Sequence, residues 1–192
     1  FRPIVLDTKE LELEAKKIDC VWNGMSATEE RQDNMALTDK YLNNKIVIMT
    51  MNPDVKVNSV ADLANYNIVT QAGSAALETM EAHPDYATFS DKIQTFDTYD
   101  EAILALQGGR ADCMVVDQVL GEYKNSKMDG AMQVCDFNFG DDFYAIGFRK
   151  GDVESAAKVS GAIQTLIDNG KAAEISEKWF GKNIVILEGY DQ

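Results

Sequence analysis

The 192-residue sequence predicts an α/β protein built as two similar lobes. Two observations carry that reading. Short apolar, β-branched runs alternate with helix-forming runs along the whole chain, the pattern of parallel βαβ units. One segment is also echoed. Glu14-Ala15-Lys16-Lys17-Ile18-Asp19-Cys20-Val21 parallels Leu106-Gln107-Gly108-Gly109-Arg110-Ala111-Asp112-Cys113-Met114, in each case a helix end followed by Asp-Cys and an apolar strand. The copies lie 93 residues apart, too far for a solenoid period and suited to two lobes.

Taken in order, Phe1 to Leu6 reads as the inside of a strand, and Asp7 with Glu10 as a capping box opening a helix over 7–17. A strand is expected over 18–22, then a turn at Gly24-Met25-Ser26-Ala27 and a short helix capped by Thr28. The run 45–51 is a strand stopped by Asn52-Pro53. Ser59 caps a short helix over 60–63, 66–71 is a strand, and the turn Ala72-Gly73-Ser74 leads into a helix over 75–82. Then come a strand (93–96), a helix (98–107) stopped by Gly108-Gly109, a strand (111–116), a helix (118–124) and a strand (143–149). Two helices close the chain, over 153–169 and 172–180, with Gly170 and Gly181 at the positions of C-caps.

Composition narrows the function. Apolar residues make up 45% and charged residues 26%, and the formal net charge is -14. No basic block offsets that charge, so nucleic acid and anionic membranes are poor partners. No apolar run nears the ~18 residues of a spanning helix. Three cysteines (Cys20, Cys113, Cys135) do not make a disulfide framework and read as buried free thiols. The single histidine, His83, precedes Pro84 and reads as structural or solvated; neither a zinc set nor a nucleophile with a histidine base can be assembled. No catalytic residue, metal or cofactor is expected. The aromatic residues Phe137, Phe139, Phe143, Tyr144 and Phe148 around Gly140-Asp141-Asp142 read as core or as a hinge strand.

Three places carry candidate binding chemistry. Gly24-x-Ser26-x-Thr28-x-x-Arg31 offers N–H groups, a hydroxyl and a guanidinium at a helix start, a set that suits a carboxylate and equally suits a capped helix with a solvated arginine. Gln71-Ala72-Gly73-Ser74-Ala75 is a second strand-to-helix turn; it lacks the lysine and spacing of a nucleotide loop. Asp117 ends the run Met114-Val115-Val116, where it either accepts from an ammonium or caps the next helix. In open α/β sheets ligands bind outside the carboxyl ends of strands, where Gly24 and Asp117 fall.

Together these residues resemble the solute receptors of polar amino-acid ABC importers. The likeness rests on residues 17–31 (Lys-Ile-Asp-Cys-Val-Trp-Asn-Gly-Met-Ser-Ala-Thr-Glu-Glu-Arg), on Asn58 to Leu63, on Val69 to Ser74 and on Gly109-Arg110-Ala111-Asp112. It continues through Val116-Asp117, Phe148-Arg149-Lys150-Gly151-Asp152 and Glu177-Lys178-Trp179-Phe180-Gly181. The resemblance implies a two-lobed, type II periplasmic-binding-protein-like fold. Residues 1–45 plus 145–192 would form lobe 1 and 53–136 lobe 2, with hinge strands at 46–52 and 137–144. It further implies that Arg31 clamps the α-carboxylate of an amino acid, helped by Ser26 and by N–H groups at Ser74 and Ala75. Asp117 would hold the α-ammonium. Trp22, Asn23 and Gly24 would line the pocket, and Gln71 would approach the ligand side chain.

The implied partners are an amino acid and an ABC permease. The implied location is periplasmic or extracellular, as a membrane-associated lipoprotein. Two departures stand out. The family's opening strand, helix and loop are missing, so a second chain or fragment is expected to complete lobe 1. Leu6 stands before Asp7 where the family commonly has an aromatic platform, so the pocket is expected to be retuned. The same fold also serves signalling receptors, engineered sensors and dehydratases of the arogenate or prephenate type.

Overall fold

A computed structural model describes residues 1–190. The chain divides into two compact units: Phe1–Asn44 with Asp141–Gln192, and Lys45–Gly140.

In the second unit, β4 (Ile68–Gln71) runs parallel to β5 (Ile93–Phe96) and to β6 (Cys113–Asp117). The far end of β3 (Lys40–Thr50) pairs antiparallel with β6, Val47 opposite Val116. The βαβ expectation therefore holds at β4, β5 and β6, and β3 departs from it, because alternation of strands and helices does not encode strand direction. Every residue of β6 is buried. Its side chains alternate between two cores. Cys113 and Val115 join Ile46, Ile48, Ile68 and Phe89 on one face; Met114 and Val116 join Val47, Met49, Val69 and Leu106 on the other. That period-two sorting explains why strands covered on both faces read as unbroken apolar runs. The helices α3 (Ala75–Glu81), α4 (Tyr99–Gln107) and α5 (Gln118–Ser126) follow β4, β5 and β6 in turn.

In the first unit, β1 (Cys20–Ser26) pairs antiparallel with β7 (Gln133–Phe148), Cys20 opposite Phe148 and Ser26 opposite Tyr144. The two-residue β2 (Ala36–Leu37) also pairs with β7, and β8 (Val185–Glu188) pairs with the near end of β3. Neither β2 nor β8 was legible as a strand. Ile146 and Phe148 pack with Ala156 and Ile163 of α6 (Val153–Asp168), while Leu13 of α1 (Lys9–Glu14) packs with Val21, Met25 and Met35. α7 (Lys171–Phe180) ends on left-handed Gly181, and left-handed Gly170 separates it from α6.

Several local expectations change. Phe1 to Val5 are not in a strand; Pro3 has no N–H to give a ladder. The Asp7–Glu10 capping box does not form, and a 3-10 turn (Leu6–Thr8) occupies its place before α1. Gly24 to Ser26 of the expected turn are instead the end of β1, which absorbs the glycine as a register shift between Val21 and Met25. β7 is longer than 143–149, taking in the aromatic run from Phe137. Phe137 and Phe139 pack against the second unit's core, and Tyr144 and Phe148 are buried in the first. The three cysteines are free; Cys113 is buried, and burial with the neighbouring Cys135 and Asp112 pushes its thiol up to about 12. His83 serves structure, its Nδ1 accepting from the Asp85 N–H and its ring meeting Phe139 edge-on.

Candidate functional site

In the first unit the candidate residues follow one another through β1 and α2 (Glu29–Asn34). Gly24 has φ +78, and a Cβ there would lie 2.9 Å from the Tyr144 ring, so both conformation and space demand glycine. The Thr28 hydroxyl caps α2 by accepting from the Arg31 N–H, as its place in the sequence predicts. Arg31 is not a solvated arginine. It is only 2% exposed, and its guanidinium donates to the Ser26 carbonyl at 2.9 Å.

Ser26 is held at its other oxygen as well. Its hydroxyl donates to Asp142 Oδ2 at 2.6 Å, and the Asn44 amide donates to the same oxygen at 2.7 Å. Burial raises the Asp142 carboxyl above the usual carboxylate range; Ser26, Asn44, the Phe143 N–H and the Arg31 charge each pull it back. Asp142 and Asn44 were not singled out from sequence. They lie 116 and 18 residues from Ser26, on β7 and β3, and no local spacing announces them. Trp22 and Asn23 are exposed on β1. Leu6 is half-buried in the 3-10 turn ahead of α1.

In the second unit, Gln71 to Ala75 and Asp117 sit at the carboxyl ends of the adjacent parallel strands β4 and β6. Left-handed Gly73 lets the chain turn sharply into α3. The Ser74 hydroxyl caps that helix at Leu77 N–H (3.2 Å), and Ser74 and Ala75 are both buried. The Gln71 amide donates to the Asp97 carbonyl at 2.8 Å, which ties the end of β4 to the end of β5. Asp117 is 8% exposed and makes no side-chain cap to α5, so the capping alternative is not its role here.

Behind these residues lies a neutral network that sequence did not reveal. Thr70 Oγ1 donates to the Val115 carbonyl at 2.9 Å and lies 3.4 Å from both the Ser74 and Tyr99 hydroxyls. Burial, and next the negative Asp117, push the Tyr99 phenol well above its ordinary range. Asp117 is thus close enough to be felt by a buried hydroxyl on α4. Among the described residues no cluster of three or more His, Cys, Asp and Glu could hold a metal, and no helix is long and apolar enough to cross a membrane.

The first unit thus holds a buried guanidinium at a strand-to-helix turn, and the second holds a buried carboxylate at the C-terminal edge of its parallel strands. Comparison with known proteins places the chain. The chain matches the model of bacterial extracellular solute-binding proteins, family 3, over residues 1–182, and it belongs to that family.

Among curated relatives, an L-arginine-binding protein of Pseudomonas aeruginosa is 28% identical over 179 residues, covering 90% of this chain and 68% of its own length. The L-cystine-binding protein TcyA of Bacillus subtilis is 25% identical and covers 96% of this chain. The chain spans about two thirds of the length of such relatives, from 64% to 69% for the first five. Among solved structures, a substrate-binding protein of an ABC uptake transporter from Streptococcus pneumoniae with bound histidine matches at 31% identity and TM-score 0.89, covering 96% of this chain and 76% of that one. The ancestral amino-acid-binding protein AncCDT-1, a precursor of cyclohexadienyl dehydratase, matches at 28% identity and TM-score 0.81, covering 94% and 77%. The type II periplasmic-binding-protein fold expected from sequence is the fold of these neighbours.

Proposed function

We propose that this protein binds a polar L-amino acid outside the cytoplasmic membrane and presents it to an ABC permease, without chemistry on the ligand. The observation that carries the reading is the buried, charged Arg31 at the start of α2, anchored through Ser26. A buried cation of this kind is worth keeping where an anion comes to meet it, because each charge-assisted hydrogen bond contributes about 1.5–3 kcal/mol.

The ligand carboxylate is assigned to Arg31 and to N–H groups of the Ser74–Ala75 turn. The ligand ammonium is assigned to Asp117, with Trp22, Asn23 and Gly24 lining the pocket and Gln71 and Leu6 near the ligand side chain. Residues 1–45 plus 145–192 then act as one lobe and 53–136 as the other, joined by strands at 46–52 and 137–144. A ligand gripped by both lobes favours the closed state through contacts absent from the open one.

Relatives and neighbours named for arginine, histidine, glutamine, glutamate and cystine support a polar amino acid as the class. The test is thermal shift against the twenty L-amino acids, with arginine and histidine as first probes. Stabilisation grows as RT ln(1 + [L]/Kd), so one or a few polar amino acids should raise the midpoint strongly. A flat response to all twenty would sink the reading, and turnover of prephenate would replace it with a dehydratase, the activity to which AncCDT-1 was a precursor.

A further inference from the structure

Ser26 is tied down at both of its oxygens within the first unit. Its carbonyl accepts from Arg31 at 2.9 Å, and its hydroxyl donates to Asp142 Oδ2 at 2.6 Å. A serine hydroxyl has one proton and two lone pairs. Once the proton is given to a carboxylate, only lone pairs remain for anything else. We propose that Asp142 is a positioning residue of the binding site, fixing Ser26 as a hydrogen-bond acceptor that takes an ammonium N–H and turns an anion away toward Arg31. This rests on the proposed reading of Arg31 as the carboxylate residue, and it moves Ser26 from the carboxylate side expected from the resemblance to the ammonium side.

The chemistry of the cluster favours a directed role over a merely structural one. Ser26 is 1% exposed, so its hydroxyl has no bulk water through which to reorient. Asn44 fills the carboxylate from a third strand with a 2.7 Å bond to the same oxygen. An asparagine or serine at position 142 would satisfy both donors without the desolvation cost of a buried charge. What a carboxylate adds is an acceptor that cannot flip into a donor, and a negative potential behind Ser26. An ion at O···O 2.6 Å also polarises the hydroxyl, making its oxygen a stronger acceptor.

The experiment is calorimetric titration of the full chain with the L-amino acid that gives the largest thermal shift, alongside the matching des-amino acid, which keeps the carboxylate and lacks the ammonium. The proteins are wild type, Asp142→Asn, Ser26→Ala and the double variant. Asp142→Asn should weaken the amino acid about tenfold and leave the des-amino acid unchanged or tighter. Ser26→Ala should do the same, and the double variant should be no more than about twofold worse than Ser26→Ala, because Asp142 acts through Ser26. Wild-type affinity in Asp142→Asn, multiplicative losses, or equal losses for both ligands would each overturn the proposal. If Asp142→Asn does not fold, Ser26→Ala decides alone on the same amino-acid versus des-amino comparison. A wild type silent to all twenty amino acids instead removes the site reading on which Asp142's role depends.

Discussion

In the first unit the candidate ligand residues are wired to a carboxylate: Asp142 accepts hydrogen bonds from the Ser26 hydroxyl and the Asn44 amide, and the Ser26 carbonyl accepts one from Arg31. In the second, Ser74 lies beside neutral hydroxyls, those of Thr70 and Tyr99, and the Asp117 carboxylate is felt by the Tyr99 phenol. The difference is one of charge economy. The first unit keeps an anion, Asp142, near its buried guanidinium, whereas the second keeps a network of neutral hydroxyls near its buried carboxylate.

The largest effects should come from the presented charges. Arg31→Ala and Asp117→Asn should each weaken amino-acid binding by about 100-fold or more, on the order of two charge-assisted bonds. Titration calorimetry reads this directly, and a large loss in one variant with none in the other would break the symmetry of the comparison. Gly24→Ala should cost about 2 kcal/mol of stability or more, because a left-handed alanine meets the Tyr144 ring 2.9 Å away. Urea unfolding measures it.

The supporting networks should differ in pH dependence. Asp142 has a raised folded pKa, so its favourable contribution is full below the unfolded carboxylate value of about 3.9 and is lost as pH rises through the folded value. Unfolding midpoints from pH 3.5 to 7 should therefore move in favour of Asp142→Asn relative to wild type as pH increases, and parallel curves would contradict this. The Tyr99 phenol is raised too, but its window opens only above about pH 10, the unfolded tyrosine value. Tyr99→Phe should cost about 1 kcal/mol at neutral pH, one neutral hydrogen bond, and remove that alkaline loss. It is the smallest effect of the set.

Much of this was legible in sequence where the signal is local. Thr28 caps the helix expected of it, Ser74 and Thr98 stand at the starts of the helices expected after them, and β6 shows as the unbroken apolar run Cys113-Met114-Val115-Val116. The missed parts are long-range or weakly patterned. Asp142 sits among aromatic residues in a stretch that reads as core or hinge, and its partner Ser26 is over a hundred residues away. Tyr99 follows the Thr98 cap and reads as one more amphipathic position, with nothing to announce its hydroxyl at Thr70. β2 has only two residues, and β8 borrows its ladder from β3, so neither had a periodicity to detect. Gly24 looked like a turn because glycine marks turns and bulges alike.

The proposed function requires one ligand to bring both of its charges to Arg31 and Asp117. Its most direct test compares, on the wild-type protein, the best-binding L-amino acid with its carboxamide, which lacks the anion, and with its N-acetyl form, which lacks the cation. Losses of about 100-fold or more for both derivatives are the predicted result. Near-equal affinity of either derivative and the parent would contradict it.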